Sequence, residues 1–348
     1  MRLAVVLALV LPLTAQDSRF GVRSRLVLVP ATVTDANGRS VYDLGASDFL
    51  VLDDQRERKA VVDTLDTGVA PIALVIAVQS SGISAAVLEK VRRIGAMVQP
   101  LVTGERGCGA LVSFAESVSW LQECTNDPDA LQRAFRQIQA GKYKQAVMLD
   151  AVAAAIERLR RQPNARRVLL LISESKDRGS KAALDVVSKA AESADVTIYA
   201  ATYSLAKTAF TSKAQVGEPP PPPHPQTPSE AMKTPNGAPQ TKYNPPILPK
   251  EQCADLGAGI GEILRLHKTN TTQALAAVTG GTAFPFTRQK GLEDAIGKLG
   301  AELHSQYILS FAPEDSAAGY HRLTVRVVRT GEFRVRARPG YWVAGEAQ

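Results

Sequence analysis

The stretch from Ile72 to Ser84, IALVIAVQSSGIS, decides the fold. Its first seven residues, Ile72 to Val78, are apolar without a break and rich in β-branched side chains. A strand with one wet face alternates. An unbroken run predicts a strand covered on both faces, as in a parallel sheet between two helix layers. The run ends in the polar segment Gln79-Ser80-Ser81-Gly82-Ile83-Ser84.

Reading outward toward the C-terminus, residues 85–102 carry Val87, Val91, Ile94, Met97, Val98 and Leu101 at helical spacing. Residues 110–114 and 117–122 read as a short hairpin, and 127–139 and 147–161 as helices. RVLLLIS at 167–173 is a second buried strand, 181–194 is helical, and VTIYAAT at 196–202 is a third strand. Residues 217–250 hold 12 of the 21 prolines, including the run Pro219 to Pro223, and predict a polyproline-type or disordered insertion. The pattern then resumes with a helix over 273–278, an extended segment over 282–286, a helix over 292–304 and QYILSF at 306–311 as the last strand. Strands alternating with helices predict a doubly wound, mostly parallel, Rossmann-like α/β sheet spanning residues 69–313.

The flanks read differently. Residues 26–33, 48–54 and 59–65 predict strands, with Asp35-Ala36-Asn37-Gly38-Arg39 as a hairpin turn. At the other end, HRLTVRVVR (321–329) and EFRVRAR (332–338) alternate strictly. Neither β segment is large enough to fold alone. The economical arrangement is one small sandwich built from residues 16–68 and 314–348, with the α/β unit inserted between them.

The chain has 348 residues, 45% of them hydrophobic, which excludes global disorder. Three Cys and four His exclude a multi-zinc or disulfide-dense scaffold. Met1-Arg2 followed by apolar Leu3 to Leu13 and a small residue at Ala15 predicts a signal peptide over 1–15. The apolar run is too short to span a bilayer, which takes about 20 residues. A secreted or periplasmic protein without a membrane span after signal removal is therefore expected, in a compartment where disulfides persist. The net charge of +7 permits an anionic partner without requiring one.

With these elements in order, the chain resembles a von Willebrand factor type A domain. The flanks sharpen the likeness. Val27-x-Val29-x-Ala31-x-Val33-x-Asp35-x-x-Gly38 followed by Leu44-x-x-x-Asp48-Phe49 resembles the start of secreted bacterial proteins of this kind best known from Acidobacteria. Thr279-Gly280-Gly281-Thr282-Ala283-Phe284, Glu302-Leu303-x-Ser305-Gln306-Tyr307-Ile308-Leu309 and Arg336-Ala337-Arg338-Pro339-Gly340-Tyr341 resemble their end. The resemblance covers residues 22–343 apart from the proline-rich insertion. It implies protein binding or adhesion outside the cytoplasm.

Such domains often hold Mg²⁺ at the C-terminal edge of the sheet through Asp-x-Ser-x-Ser, a Thr from a second loop and an Asp from a third. Carried onto this chain, the Asp falls on Gln79, one Ser on Ser81, the other on Ile83, the Thr near Ala146 and the last Asp on Glu174. Gln79 removes a carboxylate, Ile83 and Ala146 remove two hydroxyls, and Lys176 adds a positive charge close by. Mg²⁺ favours near-octahedral oxygen donors, so a degenerate metal site is expected, with no cofactor. Metal-dependent adhesion through a variant site is the competing reading. The expected ligand-binding loops are Gln79 to Ser84, Lys142 to Ala146 and Ser173 to Arg178.

Cys108 and Cys124 lie equidistant from residue 116 in the predicted hairpin turn, so they face each other as a cross-strand disulfide or as two buried thiols. Cys253 is left over as a free or intermolecular thiol. Arg322, Arg326, Arg334, Arg336 and Arg338 alternate with apolar residues. They form either the solvated face of a sandwich or a stripe that binds an anionic envelope polymer. No aromatic residues interleave them for base stacking, so nucleic acid is not an expected partner. His224, His267, His304 and His321 do not make a catalytic set, and no nucleophile elbow or phosphate loop occurs. The expected function is an exported, non-enzymatic interaction module with a protein partner outside the cytoplasm.

Overall fold

The computed structural model describes residues 26–63, 70–82, 85–203, 270–313 and 317–343. The expected signal peptide, Ile83, Ser84, the proline-rich stretch and Cys253 lie outside the described residues. In chain order the described strands and helices are β1 (Val27–Asp35), β2 (Phe49–Asp53), β3 (Arg56–Arg58), β4 (Val61–Asp63), β5 (Ile72–Gln79), α1 (Ala85–Arg93), α2 (Gly95–Val98), β6 (Cys108–Phe114), β7 (Val118–Thr125), α3 (Pro128–Arg136) and α4 (Met148–Arg160). They continue as β8 (Arg166–Ser173), α5 (Leu184–Ser193), β9 (Val196–Tyr203), α6 (Thr271–Val278), β10 (Ala283–Phe286), α7 (Gln289–Ser305), β11 (Tyr307–Phe311), β12 (Gly319–Val327), β13 (Phe333–Arg336) and β14 (Gly340–Val343).

The central sheet has the order β10-β9-β8-β5-β6-β7 and is parallel except for the edge strand β7. All eight residues of β5 are buried, which explains its uninterrupted apolar run. Leu74, Ile76 and Val78 pack with Val91, Phe135 and Leu299 on one side. Ala73, Val75 and Ala77 pack with Val152 and Ile156 on the other. Each large aliphatic side chain buried this way contributes about 1.5–3 kcal/mol. The helix expected over 85–102 is broken. Ile94 separates α1 from α2, and Gln99–Thr103 continues as a π-helical turn containing Pro100. A Cβ on Gly95 would stand 2.8 Å from the Phe135 ring, so this glycine sets how closely α3 approaches.

Both chain ends build a sandwich. One sheet has the order β13-β1-β11-β4 and the other β14-β12-β2-β3. Val29, Val33, Leu309 and Phe311 of the first pack against Phe49, Val51, Leu323 and Tyr341 of the second in one core. The strand read as the last of the α/β sheet, β11, belongs here instead, antiparallel to β1 with Val27 opposite Phe311. Its alternate residues Tyr307, Leu309 and Phe311 enter the sandwich core while Ile308 and Ser310 are covered from the other side, so it is buried on both faces like a central strand. Of the strand expected over 59–65, Val61–Asp63 forms as β4 and pairs with β11, while β3, just before it, pairs with β2. The Asn37-Gly38 turn forms, with Gly38 at φ 78° and the Asp35 carboxylate accepting the N–H groups of Asn37 and Arg39. Its return strand lasts only one bridge, Thr34 to Ser40.

The five arginines do not make one stripe. Arg322 and Arg326 lie exposed on β12, whereas Arg334 and Arg336 lie on β13 in the opposite sheet. Arg336 pairs with Glu302 of α7 and donates to the Gly280 carbonyl at 2.7 Å. Arg338 is buried against Asp195 at 2.7 Å. Strand alternation places side chains on a face but does not say what covers that face. Here the α/β unit covers Arg336 and Arg338, while Arg334 stays exposed.

Candidate functional site

Within the α/β unit the strand order read in sequence is 3-2-1-4-5-6. From β5 the chain winds to one side through β6, and from β8 it winds to the other through β9. The crevice between the C-terminal ends of β5 and β8 is therefore the topological switch point, where open α/β sheets place their ligands. Gln79, Ser80 and Ser81 leave β5 there, Ser173 and Glu174 leave β8, and the loop 141–147 closes over them.

The buried Gln79 side chain joins the two strand ends. Its Nε2 donates to the Ser81 carbonyl at 3.0 Å, and its Oε1 accepts the Glu174 N–H at 3.0 Å. The Ser81 hydroxyl donates to the Gln145 carbonyl. The Gly141 N–H donates to the Ser80 carbonyl at 2.9 Å. Ala146 and Arg178 exchange backbone hydrogen bonds at 2.9 and 3.0 Å, tying the second loop to the third. Asp177 accepts the Leu149 N–H at 3.1 Å at the start of α4, where an acceptor satisfies an otherwise orphan helical donor. Asp150 in turn accepts the N–H groups of Lys181 and Ala182.

The carboxylate of Glu174 is buried, with its Oε2 2.9 Å from Arg178 Nη2. Among the described residues that oxygen has no hydrogen bond of good geometry, and neither does the buried hydroxyl of Tyr203. Burial, and secondarily the charge of Glu174, pushes the Tyr203 hydroxyl far above the usual phenol range. Around this closed centre the rim is exposed and basic, with Lys142, Lys144, Lys176 and Arg178. Tyr143 stands among them, 66% exposed. An open hollow of about 480 Å³ adjoins it, lined by Ser80, Ser113, Glu116, Ser119, Gln137 and Gln139.

Of the residues singled out from sequence, Gln79, Ser81, Ala146 and Glu174 meet in this one loop cluster, while Ile83 lies outside the described residues. Ala146 contributes backbone alone. The role of Arg178 was legible only as a member of the third loop, although its spacing four residues after Glu174 is that of an ion pair. Tyr203 carried no sequence signal, and Gln145 was legible only as a member of the loop 142–146. Cys108 and Cys124 are joined by a disulfide across β6 and β7, with Cα atoms 5.3 Å apart.

A second cluster lies in the sandwich. Ligand atoms of Asp53, Asp54 and His321 fall within 4.8 Å of one another. They are engaged internally: Asp53 with Arg58 at 3.2 Å and with the Tyr341 hydroxyl at 3.3 Å, and His321 through Nδ1 with Asp54 at 2.9 Å and through Nε2 with the Ala317 carbonyl at 2.9 Å.

No family model and no curated protein matches the chain. Solved structures similar to it include an aerotolerance-related membrane protein from Bacteroides fragilis and the conserved hypothetical protein BatB from Bacteroides thetaiotaomicron. Each is 14% identical with a TM-score of 0.40, over 66% of this chain and 99% of the other. The von Willebrand factor domain of the type V pili tip protein Mfa5 from Porphyromonas gingivalis is 15% identical with a TM-score of 0.27, over 32% of this chain and 40% of that one. The strand order and the covered parallel sheet define the class on their own: a doubly wound α/β protein with additional antiparallel sheets.

Proposed function

We propose that the protein is an exported, non-enzymatic interaction module, a type A domain carried on a β-sandwich. On this reading it holds an acidic segment of a protein partner on the loops at the C-terminal sheet edge, without a bridging metal ion. The observation that carries the proposal is the Gln79 latch beside the Glu174–Arg178 pair. Mg²⁺ takes near-octahedral oxygen donors, carboxylates foremost. The carboxylate at hand already faces a guanidinium, the Ser81 hydroxyl is turned to a carbonyl, and both ends of the Gln79 amide are engaged. This donor set does not fit the ion. Positive charge at the edge comes instead from Lys142, Lys144 and Lys176, and Tyr143 supplies an aromatic contact of the kind enriched at interfaces.

Export is supported by the leader-like residues 1–15 and by the Cys108–Cys124 disulfide, which persists in oxidising compartments. Among the described residues no helix is long and apolar enough to cross a membrane. Binding of an anionic polymer along an arginine stripe loses its basis once the five arginines divide between two sheets.

The test combines two measurements on the full chain. Calorimetric titration of Mg²⁺ and Mn²⁺ into chelator-treated protein is expected to show no binding. Capture from an extracytoplasmic fraction, compared between wild type and a Lys142→Glu/Lys144→Glu/Lys176→Glu variant, is expected to yield an acidic protein retained in chelator and lost in the variant. Saturable submillimolar metal binding abolished by Glu174→Ala would sink the metal-free reading. Capture indifferent to the charge reversal would move the interface elsewhere.

A further inference from the structure

At the opposite edge of the α/β sheet, where β8 and β9 begin, the outer face of the β1–β11 sheet meets the α/β unit and encloses a cavity of about 430 Å³. This lies within the range of small-molecule sites. One wall is apolar: Leu28, Pro30 and Ile308 from the sandwich, Val196 and Leu303 from the α/β unit. Leu28 is 42% exposed although its neighbours Val27 and Val29 are buried, so a large apolar side chain is left open at this place.

The other wall is ionic. Arg166 donates to the Leu303 carbonyl at 2.8 Å and to Gln306 Oε1 at 2.6 Å. Arg167 donates to the Ala194 carbonyl at 2.8 Å. Among the described residues neither guanidinium pairs with a carboxylate, so the cavity keeps their charge. Arg338, 6% exposed, gives Nη1 to Asp195 at 2.7 Å, but its Nε has no partner. Glu192, 2% exposed, accepts from Trp342 Nε1 at 3.1 Å through one oxygen, while its Oε1 has no partner. Buried polar atoms are nearly always satisfied, and the exceptions call for an explanation. Both residues border the same cavity, with these two atoms themselves covered by protein.

We propose that this cavity binds a small amphipathic organic carboxylate, its head drawn to the charge of Arg166 and Arg167, its apolar body lying on Leu28, Pro30 and Ile308. Three arginines against the single carboxylate of Asp195 select an anion. Burial pushes the Glu192 carboxyl up to about 8, so near neutral pH it stays protonated and does not offset the arginines. The apolar wall selects a chain over inorganic phosphate or sulfate. Both structural units contribute to the cavity, so an occupant would also pin the sandwich to the α/β unit.

Decanoate is the probe, with decanol as its uncharged counterpart. Trp342 reports on the site because its indole holds Glu192, and Trp120→Phe removes the other tryptophan signal. Native mass spectrometry of the full chain as purified, followed by calorimetric and fluorescence titration, is expected to show one carboxylate per chain, bound at least tenfold more tightly than decanol. Leu28→Trp, read by calorimetry because it adds an indole, narrows the cavity and leaves every buried polar pair in place. It is expected to weaken decanoate at least tenfold with an unchanged melting temperature. Absence of both an adduct and saturable binding would overturn the proposal. So would equal affinity for decanol, or an indifferent Leu28→Trp variant.

Discussion

Glu174 gives its backbone N–H to the side-chain oxygen of Gln79, 95 residues earlier in the chain, at 3.0 Å in a fully buried setting. The same Gln79 amide donates to Ser81 two residues on. A single neutral side chain thus fixes the ends of β5 and β8 relative to each other, at the point where the two halves of the sheet diverge.

Gln79→Asp tests this latch. The shorter acidic side chain cannot donate to the Ser81 carbonyl and leaves it facing a carboxylate. A buried group stranded this way costs about 1–3 kcal/mol. Urea denaturation is expected to show that loss, equal with and without Mg²⁺. Recovery of stability on adding Mg²⁺ would reveal a latent metal site.

The Cys108–Cys124 bridge closes a loop with a sequence separation of 16. A loop of that size is worth about 3 kcal/mol in the chain-entropy account. Cys108→Ser/Cys124→Ser should lose about that much in equilibrium unfolding. Wild type in reductant should move toward the same midpoint. If reductant leaves wild type unmoved while the double variant is destabilised, the loss comes from packing.

Glu192 makes the protein less stable as pH rises. Its carboxyl is raised from 4.5 to about 8 by burial, against smaller lowering effects from Trp342 and Arg338. Between those values the folded state holds a proton that the unfolded state has released. Stability therefore falls through this window and levels off above about pH 8. Glu192→Gln keeps an acceptor for Trp342 and removes the titration. The stability difference between variant and wild type should grow in the variant's favour by a few kcal/mol from pH 4.5 to 8. A pH-independent difference would place the Glu192 carboxyl near its ordinary value.

Two glycines on α7 should respond in opposite directions. A Cβ on Gly300 would stand 1.9 Å from the Leu101 carbonyl oxygen, whereas one on Gly297 meets nothing within 4 Å. Gly300→Ala should cost about 1–3 kcal/mol through forced backbone movement. Gly297→Ala should gain about 0.5–1 kcal/mol from helix propensity. Thermal melts of the two single variants decide this, and equal shifts would refute the packing account of Gly300.

What the sequence made legible was what local pattern controls. The apolar runs of β5, β8 and β9 announce strands covered on both sides, and the strict alternation at 321–329 announces β12. Strand β11 carries the same apolar signature as β8, and nothing local says which sheet it joins. Its neighbours β1 and β4 lie more than 240 residues upstream by their registers. Arg338 alternates as a solvated residue would, and becomes buried only because Asp195 waits on the α/β unit. At the switch point Gln79 was visible as the polar end of an apolar strand, but its two-ended bonding needed the loops in place. The cavity was invisible for the same reason: its walls come from residues as distant as Leu28 and Arg338.

The way both ends of the chain meet in the sandwich has a mechanical consequence. The α/β unit leaves the sandwich after β4 and returns at β11, while β1 and β14 sit in the two facing sheets. Tension applied beyond Val27 and Val343 runs through the ladders that β1 makes with β11 and β13 and that β14 makes with β12. The loops at the far edge of the α/β sheet hang outside that load path. Pulling on the two ends deforms the sandwich first and leaves the loops at the far sheet edge unloaded.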